Sequence, residues 1–479
     1  MHPPTLLLAS DELQLSYDLG AGALLGIAAV AVGVLLALII GVKMHPLLAL
    51  VIVSIGTAFA TGVEAADVLD VLLDGFSGTL GEVALLIGFG AMLARLVETS
   101  GAAEALSEGL VQRLGEKRAP LALGIASLIF GFPIFFDAAF MVMLPIIFTV
   151  ARRVGGGVLL YALPAGAALT TMHVLLPPHP GAVAATILLG ADVGLVILIG
   201  LVVAIPTWWV AGYLYGTWIG RRIVLPVPDV LMGGPRSDAA DADAAEGRGA
   251  PPKVRTLLLL LLLPLVLIFL NTAVTTAART GAVSEDATWV HLLQLVGSTP
   301  IALLLTVLVA SWALGTKRGT SRVVVEDLLD NALKPIAPVL LITGAGGMFG
   351  GVLIASGIGD ALSVTLQDTG LPLILAVFVI SAVIRVALGT ATVAITTAAG
   401  LLSSSVVAAD LNPVQAAAMV IVLAGGSSVL SHVNDASFWL IGKLLGMSVT
   451  QTFQTWTVVK TLVGTVAASL ATVIYVVAS

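Results

Sequence analysis

The sequence predicts an all-α polytopic membrane protein in which two five-helix halves form an inverted-topology repeat, with two re-entrant hairpins and two broken helices. Three observations lead to this fold class. Of the 479 residues, 58% are hydrophobic and only 10% are charged, whereas a soluble domain carries about 25% charged residues. Many apolar segments have the length of membrane spans, and four others are interrupted. The two halves of the chain also match each other.

The composition excludes several classes of site. The chain contains no cysteine, which rules out disulfides, thiolate metal ligands and cysteine nucleophiles. It has no Walker A sequence for ATP-driven transport and no basic face of the kind that binds nucleic acid. No nucleophile–base set can be argued either. We therefore predict that the protein is not an enzyme, holds no cofactor or metal, and has small molecules, protons and membrane lipid as partners.

Residues 1–20 precede the first span and are predicted to form an extracytoplasmic tail. They include Asp11 and Glu12 but no basic n-region, so they do not resemble a cleaved signal peptide. A spanning helix needs about 20 predominantly apolar residues. The uninterrupted candidates are 21–41, 46–61, 81–98, 195–219, 256–275, 290–315, 336–355 and 453–477.

Four further apolar regions are interrupted by polar residues, glycine or proline. They are 119–152, broken at GFPIFFD; 157–191, broken at HVLLPPHPG; 371–408, broken at RVALGTAT; and 414–446, broken at GGSSVLSHVND. Non-helical backbone at membrane depth is tolerated only inside protein or beside water. We interpret 119–152 and 371–408 as re-entrant hairpins, and 157–191 and 414–446 as helices broken at mid-depth.

The distribution of basic residues predicts the orientation. With an extracytoplasmic N-terminus, the basic residues of the connecting segments fall on the cytoplasmic side, apart from Arg279, as the positive-inside rule requires. The acidic loop 64–74 and both termini are then extracytoplasmic. Lys460 lies within a span, and we expect its side chain to extend to the cytoplasm. Residues 223–255, rich in Ala, Asp, Gly and Pro, are predicted to form a disordered cytoplasmic linker.

Two segments of the chain match at an offset of 256 residues. GFGAMLARLVETSGAAEAL (88–106) aligns with GAGGMFGGVLIASGIGDAL (344–362). Residues 21–222 and 256–479 then form two halves with five crossings each, and an odd number of crossings inverts the second half. Inverted repeats are typical of secondary transporters, whose cargo binds near the midplane, where broken helices and hairpin tips meet.

Asp137 is the lone carboxylate of the apolar run FGFPIFFDAAFMVMLPI (130–146). A charge in hydrocarbon costs at least about 2.5 kcal/mol, so this side chain should face the protein interior or a cavity. Because burial disfavours the charged form of a carboxyl group, Asp137 is a candidate proton carrier as well as a substrate ligand. It could equally be the N-cap of the helix that follows the break.

Histidines and hydroxyls occupy two other breaks. In HVLLPPHPG, His173 and His179 accompany three prolines, which forbid continuous helix. Either histidine could bind substrate hydroxyls or carry a proton, or the segment could be only a structural break. The second hairpin tip contains Arg385, Thr390 and Thr392. A buried guanidinium beside hydroxyls suits a carboxylate, although Arg385 could instead be a structural partner of Asp137 or Asp435.

The last break, GGSSVLSHVNDAS (425–437), is too polar to face lipid. Its density of donors and acceptors predicts a polyol-binding surface. The candidate substrate-binding residues here are Ser427, Ser428, His432 and Asn434. Asp435 is a second candidate for proton coupling. The alternative is that Asn434, Asp435 and Ser437 cap the helices around the break.

The motifs FGFPIFFDAAFMVMLPI, HVLLPPHPG and SHVNDASFW resemble those of the gluconate permease family of proton symporters, in the same order and over roughly residues 20–479. The resemblance implies uptake of gluconate and related sugar acids, with small hydroxy or amino acids such as serine as the cargo of some members. It also implies a scaffold domain and a transport domain, a homodimer and an elevator-type mechanism.

We therefore predict a secondary transporter of the bacterial inner membrane that imports gluconate or a related sugar acid by proton symport. A sugar acid is a monoanion with several hydroxyls, which suits one cation and many neutral hydrogen-bonding groups. The alternative is a sodium- or proton-coupled carrier of di- or tricarboxylates, or of another small hydroxy or amino acid. Di- and tricarboxylates should need more than one cation. A passive channel fits less well, because the polar residues concentrate at four breaks.

Overall fold

The fold is helical throughout the part of the chain that is described. The computed structural model describes residues 16–17, 19–228, 252–279, 282–334, 336–358, 361, 365, 372–388, 390–432 and 435–479. Eight helical stretches among these residues are long and apolar enough to cross a membrane. The chain is therefore an all-α polytopic membrane protein. Most of the predicted tail 1–20 and of the predicted linker 223–255 lies outside the described residues.

The first half contains ten helices among its described residues. They are α1 (Ala21–Leu36), α2 (Pro46–Ala60), α3 (Val68–Thr99), α4 (Ala102–Leu114), α5 (Ala119–Gly131), α6 (Phe136–Val154), α7 (Leu159–Leu175), α8 (Pro180–Leu188), α9 (Val193–Trp208) and α10 (Gly216–Arg222). A π-helical turn at Ala37–Gly41 follows α1, and another at Trp209–Tyr215 joins α9 to α10.

The described residues of the second half form eleven α-helices. They are α11 (Val254–Arg279), α12 (Thr288–Gly297), α13 (Thr299–Ala310), α14 (Arg322–Leu333), α15 (Ala337–Ala355), α16 (Leu373–Leu388), α17 (Ala391–Ala408), α18 (Pro413–Gly426), α19 (Ala436–Leu444), α20 (Val449–Thr452) and α21 (Val458–Val477). A π-helical turn at Ser311–Gly315 follows α13, and another at Phe453–Thr457 joins α20 to α21.

Local sequence explains where several helices begin. Proline occupies the first turn of α2, α8 and α18, where its missing N–H costs nothing. Asn412 and Ser448 start α18 and α20 through capping boxes, in which the cap side chain accepts a backbone N–H and the third helical residue reaches back. These signals are short-range, so they can be recognised directly in the sequence.

Helix α3 is longer than the predicted span 81–98, and the prediction that 64–74 is a loop is wrong for most of its length. The helix begins at Val68. Val68, Val71 and Leu72 are spaced to lie on one face, which is buried against Met348 and Val352 of α15. The acidic residues of this segment are compatible with a helix that presents its other face to water.

The predicted span 290–315 is also divided differently in the structure. It consists of α12 and α13, separated at Ser298, which has an extended backbone (φ −60°, ψ 138°). Pro300 follows in the first turn of α13 and has no N–H to continue the ladder of α12. The sequence Ser-Thr-Pro therefore ends one helix and starts the next.

All four predicted interruptions separate helices in the structure. Residues 132–135 separate α5 from α6, residues 176–179 separate α7 from α8, and residues 427–435 separate α18 from α19. Helices α16 and α17 are separated at Thr390, beside residue 389, which is outside the described residues. Each break leaves backbone N–H groups at the start of the following helix without an intrahelical acceptor.

Helix α15 packs unusually closely on α3 and α17. Its sequence GAGGMFGG, with glycines four residues apart, predicts such packing. A Cβ on Gly347 would collide with Thr79 and with the backbone of Gly75 on α3, and a Cβ on Gly350 would lie 3.1 Å from the carbonyl oxygen of Gly400 on α17. Small residues thus let α15 pack tightly against both neighbours.

Corresponding features recur in the two halves at the offset of 256 residues. Helices α3 and α15 end at Thr99 and Ala355, α8 and α19 begin at Pro180 and Ala436, and α9 and α20 begin at Val193 and Val449. Two pairs of glycines at this offset share a left-handed backbone: Gly101 and Gly357 (φ 78° and 71°), and Gly190 and Gly446 (φ 66° and 67°).

Candidate functional site

A cavity of about 600 Å³ lies where the broken segments meet. This volume is within the range of pockets that hold small molecules. The first turns of α6, α17 and α19 line it, together with parts of α3, α7, α14, α15, α16 and α21. Its polar and charged lining residues are Arg95, Glu98, Asp137, Thr170, His173, Asn331, Arg385, Thr390, Thr392, Asp435, Ser437 and Lys460.

Three helices point their N-termini at the cavity. Helices α6, α17 and α19 begin at Phe136, Ala391 and Ala436, and all three residues line the cavity. The first N–H groups of a helix have no intrahelical acceptor and carry partial positive charge. The end of the cavity that these helices face is therefore suited to an anion.

Arg385 and Asp435 form a buried ion pair between α16 and the start of α19. Asp435 also accepts hydrogen bonds from Ser431 Oγ (2.5 Å), from the Ser437 N–H (2.9 Å) and from Ser437 Oγ (2.8 Å). It is the N-cap of α19. Of the two alternatives for Arg385, the structural pairing with Asp435 is therefore present. Both side chains also line the cavity.

Asp137 has a different environment. It lies in the first turn of α6, whose N-cap is Phe135, and its side chain forms no capping hydrogen bond. The interpretation of Asp137 as an N-cap is therefore wrong, because the helix begins at Phe136, two residues earlier than that role requires. The carboxylate is exposed and opens into the cavity. Within the described part of the chain it forms no ion pair or hydrogen bond.

His173 and His179 pack against each other, with ring centroids 3.7 Å apart. His173 lines the cavity, and its Nδ1 accepts the N–H of Phe136 at 3.3 Å. Since Nδ1 accepts, the ring proton of neutral His173 is on Nε2, which is then a donor. His179 does not line the cavity, but its Nε2 lies 3.1 Å from Thr392 Oγ1, which does.

The predicted polyol-binding surface of the last break is not brought to the cavity as a whole. Ser427 and Ser428 are fully buried, and Ser427 Oγ donates to the carbonyl of Ala424. His432 Nε2 lies 3.0 Å from the carbonyl oxygen of Val386. None of these three residues lines the cavity. Asn434 lies outside the described residues.

Lys460 is a cavity residue, and the prediction that it extends to the cytoplasm is wrong. The side chain is 3% exposed and its Nζ donates to Thr170 Oγ1 at 2.9 Å. It faces inward because α21 packs against α7. The signal for it was in the sequence: a lysine seven residues inside an apolar span is too deep for routine placement at the interface, and ionisable residues at such depth usually face a site.

The cavity reaches the protein surface near Arg95 and Asn331. Arg95 is partly exposed and pairs with Glu98 at 3.2 Å, and Asn331 is exposed. All three line the cavity. Arg95 is among the basic residues that the charge distribution of the sequence places on the cytoplasmic side.

Comparison with known proteins relates nearly the whole chain to one family. A family model described as "GntP family permease" matches residues 23–477. The inner membrane permease YgbN of Escherichia coli (strain K12) is 39% identical over 443 residues, which are 92% of this chain and 96% of that protein. The low-affinity gluconate transporter of the same strain is 35% identical over 434 residues, covering 91% of this chain and 94% of that protein.

Among solved structures, that of MtrF from Neisseria gonorrhoeae is similar to this chain with a TM-score of 0.58. The match covers 85% of this chain and 83% of that chain, at 15% sequence identity. The likeness concerns the fold and supports a polytopic membrane architecture.

Proposed function

The chain belongs to the GntP family of permeases, and we propose that it imports gluconate or a related sugar acid together with protons. As a permease of this family it is a transporter rather than an enzyme. Its apolar helices and its bacterial relatives identify it as a multi-pass protein of the inner membrane. The substrate, the coupling ion and the mechanism are the content of the proposal.

The observation that carries the proposal is the chemistry of the cavity. Three helix N-termini and buried basic side chains favour an anion. The hydroxyls of Thr390 and Thr392 and the Nε2 donor of His173 add neutral hydrogen-bonding groups. An anion with several hydroxyls, such as a sugar acid, matches both parts of this lining, and a relative 35% identical to this chain is a gluconate transporter.

Proton coupling is supported by the balance of charge in the cavity. The charged lining residues comprise three basic and three acidic side chains: Arg95, Arg385 and Lys460, and Glu98, Asp137 and Asp435. A bound monoanion adds one negative charge to this set, and a proton on Asp137 removes it. Asp137 is better placed for this than Asp435, because Asp435 is held by Arg385 and two serines.

An inverted repeat and an elevator-type mechanism complete the proposal. Helix boundaries and left-handed glycines that recur at an offset of 256 residues support the repeat. Both halves contribute broken segments to one cavity, as expected for transporters of this architecture. With Arg95 on the cytoplasmic side, the conformation described is the one in which the cavity opens inward. A scaffold domain, a transport domain and a homodimer belong to the same proposal.

The proposal is tested with the purified protein in liposomes. We expect radiolabelled gluconate to accumulate when the outside is made acidic, and an uncoupler that collapses the proton gradient to abolish accumulation. A sodium gradient alone should have no effect. Accumulation that is unchanged when the proton gradient is collapsed would refute proton symport. The absence of any sugar-acid uptake would refute the substrate class.

One observation favours a second candidate, a carrier of di- or tricarboxylates. The sequence offered only Arg385 as a cation at the breaks, but the cavity also contains Lys460 and Arg95. Arg385 and Arg95 are engaged with Asp435 and Glu98, so a monoanion remains the better match. Competition of gluconate uptake by citrate or succinate, together with stimulation by sodium, would favour the second candidate.

A further inference from the structure

We propose that Lys460 is the residue that binds the substrate carboxylate, and that Thr170 positions its ammonium group. This inference rests on the proposed function and assigns the anion-binding role to one side chain. It shifts that role from Arg385, the only cation that the break regions contain, to a lysine on the last helix.

The ammonium group of Lys460 is buried and has few partners. Lys460 is 3% exposed, and among the described residues its Nζ forms one hydrogen bond, to Thr170 Oγ1, and no salt bridge. An ammonium group has three donors. A buried charge is costly unless it is paired and hydrogen-bonded. Two donors are therefore available to a ligand in the cavity that Lys460 lines, and no described carboxylate lies within ion-pair distance of Nζ.

The charged groups around Lys460 differ from it in their partners. Asp137, Asp435 and Arg385 share the cavity with Lys460. Asp435 is committed to Arg385, Ser431 and Ser437. Asp137 opens into the cavity without a salt bridge to Lys460 among the described residues. Arg385 thus already holds a carboxylate, whereas Lys460 does not.

Lys460 follows a turn that contacts two helix N-termini. One turn before it, Trp456 stacks on Phe136 at the start of α6, with ring centroids 5.2 Å apart. The indole Nε1 of Trp456 donates to Ser437 Oγ, in the first turn of α19, at 3.1 Å. The π-helical turn that leads into the helix of Lys460 therefore contacts the starts of both α6 and α19. A carboxylate bound to Nζ would also be close to the partial positive charge at the N-termini of both helices.

Thr170 accepts the hydrogen bond of the Lys460 ammonium group. It lies on α7 one turn before His173, so both side chains share a face and both line the cavity. The hydroxyl holds Nζ beside the face of α7 that also carries His173. The carboxylate would then occupy the Lys460 end of the cavity, with the hydroxylated chain of the substrate extending past His173.

The test measures ligand binding to the full-length protein in detergent, with gluconate and its uncharged amide, gluconamide, as probes. We expect Lys460→Met to weaken gluconate binding at least about tenfold, because a charge-assisted hydrogen bond is lost. Gluconamide binding should change little. The variant should fold, because replacing a buried charge by an apolar side chain of similar size is often tolerated. Thr170→Val, which removes only the hydroxyl, should weaken gluconate binding by a smaller factor.

Because the chain contains no cysteine, Lys460→Cys offers a chemical rescue. The thiol loses its proton, and the thiolate displaces bromide from 2-bromoethylamine to form a thioether. The product is a lysine side chain in which sulfur replaces the γ-methylene group. We expect the unmodified variant to bind gluconate weakly and the alkylated one to regain affinity. If Lys460→Met fails to fold, this comparison within one variant decides the question.

The outcomes separate this inference from the proposed function. Wild-type protein that binds no sugar acid would refute the proposed function. Wild-type protein that binds gluconate, with Lys460→Met binding it equally well, would overturn the role of Lys460 alone. Equal loss of gluconate and gluconamide would also overturn it, because that pattern indicates a structural role.

Discussion

Two carboxylates line the same cavity, and their surroundings suit them to different tasks. Asp435 accepts hydrogen bonds from two serines and the Ser437 N–H and pairs with Arg385. Protonating it would sacrifice these contacts. Asp137 has none of them among the described residues and opens into the cavity. Protonation of Asp137 therefore costs the fold little, which is the property that a proton carrier needs.

Asp137→Asn should uncouple transport from the proton gradient. The amide is close in size to a protonated carboxyl group but cannot release a proton, so gluconate should still bind and exchange across the membrane. Accumulation against a concentration gradient should fall to passive equilibration. Uptake and counterflow assays in liposomes measure the two activities separately.

A matched control for that variant is Asp192→Asn. Asp192 caps α9 and does not line the cavity, and asparagine caps a helix about as well. We expect it to accumulate gluconate like the wild type. Normal accumulation by Asp137→Asn would contradict the coupling role of Asp137.

Side-chain partners were the part of the site that the sequence could least predict. The polarity of each break is a local signal. It was sufficient to predict Asp137, His173, Arg385 and Thr392 as site residues, and all four line the cavity. The pairing of Arg385 with Asp435 joins residues 50 positions apart and depends on how α16 and α19 dock. The depth of Lys460 in its span indicated that it faces inward, but its hydrogen-bond partner Thr170 is 290 positions away and depends on how α21 docks on α7.

At the scale of elements, the Arg385–Asp435 pair joins α16 to α19 across the last break. Ser431, within the break, donates to the same carboxylate, and Thr457, just before α21, donates to the carbonyl of Ser431. The buried charge pair and the two hydrogen bonds of Ser431 thus connect α16, α19, the break before α19 and the turn before α21. Breaking a buried pair by removing one partner costs about 3–5 kcal/mol, because the other charge is left uncompensated.

Arg385→Met should therefore destabilise the protein by about 3–5 kcal/mol, which thermal unfolding in detergent would register as a marked fall in Tm. Arg385→Met combined with Asp435→Asn should recover much of the loss, because the asparagine is neutral and its side-chain oxygen can still accept the Ser437 N–H. A single variant as stable as the wild type, or a double variant no better than the single one, would show that the pair does not hold the two helices together.

The interruptions of helices were more predictable than their exact lengths. Proline at 133, 177 and 178 and the polar run 427–437 act locally, and helices end at each of these places. The division of α12 from α13 at Ser298 was missed, because the surrounding residues are as apolar as those of a continuous span. The early start of α3 at Val68 depends on burial against α15, which is a tertiary effect.

At the scale of the whole molecule, the cavity requires both halves of the chain. Asp137, Thr170 and His173 come from the first half, and Arg385, Asp435 and Lys460 come from the second. Neither half alone presents the cation, the free carboxylate and the three helix N-termini together. The composition and the repeated segments were sufficient to predict a membrane transporter, whereas the arrangement of charges in the cavity could be read only from the structure.

The central claim is that the substrate anion binds in this cavity, among the first turns of α6, α17 and α19. The most direct test is an experimental density map of the protein at saturating gluconate. We expect density for one gluconate in the cavity, with its carboxylate beside Lys460 and its hydroxylated chain along His173 and Thr392. Gluconate bound elsewhere, with this cavity holding only water, would contradict the claim.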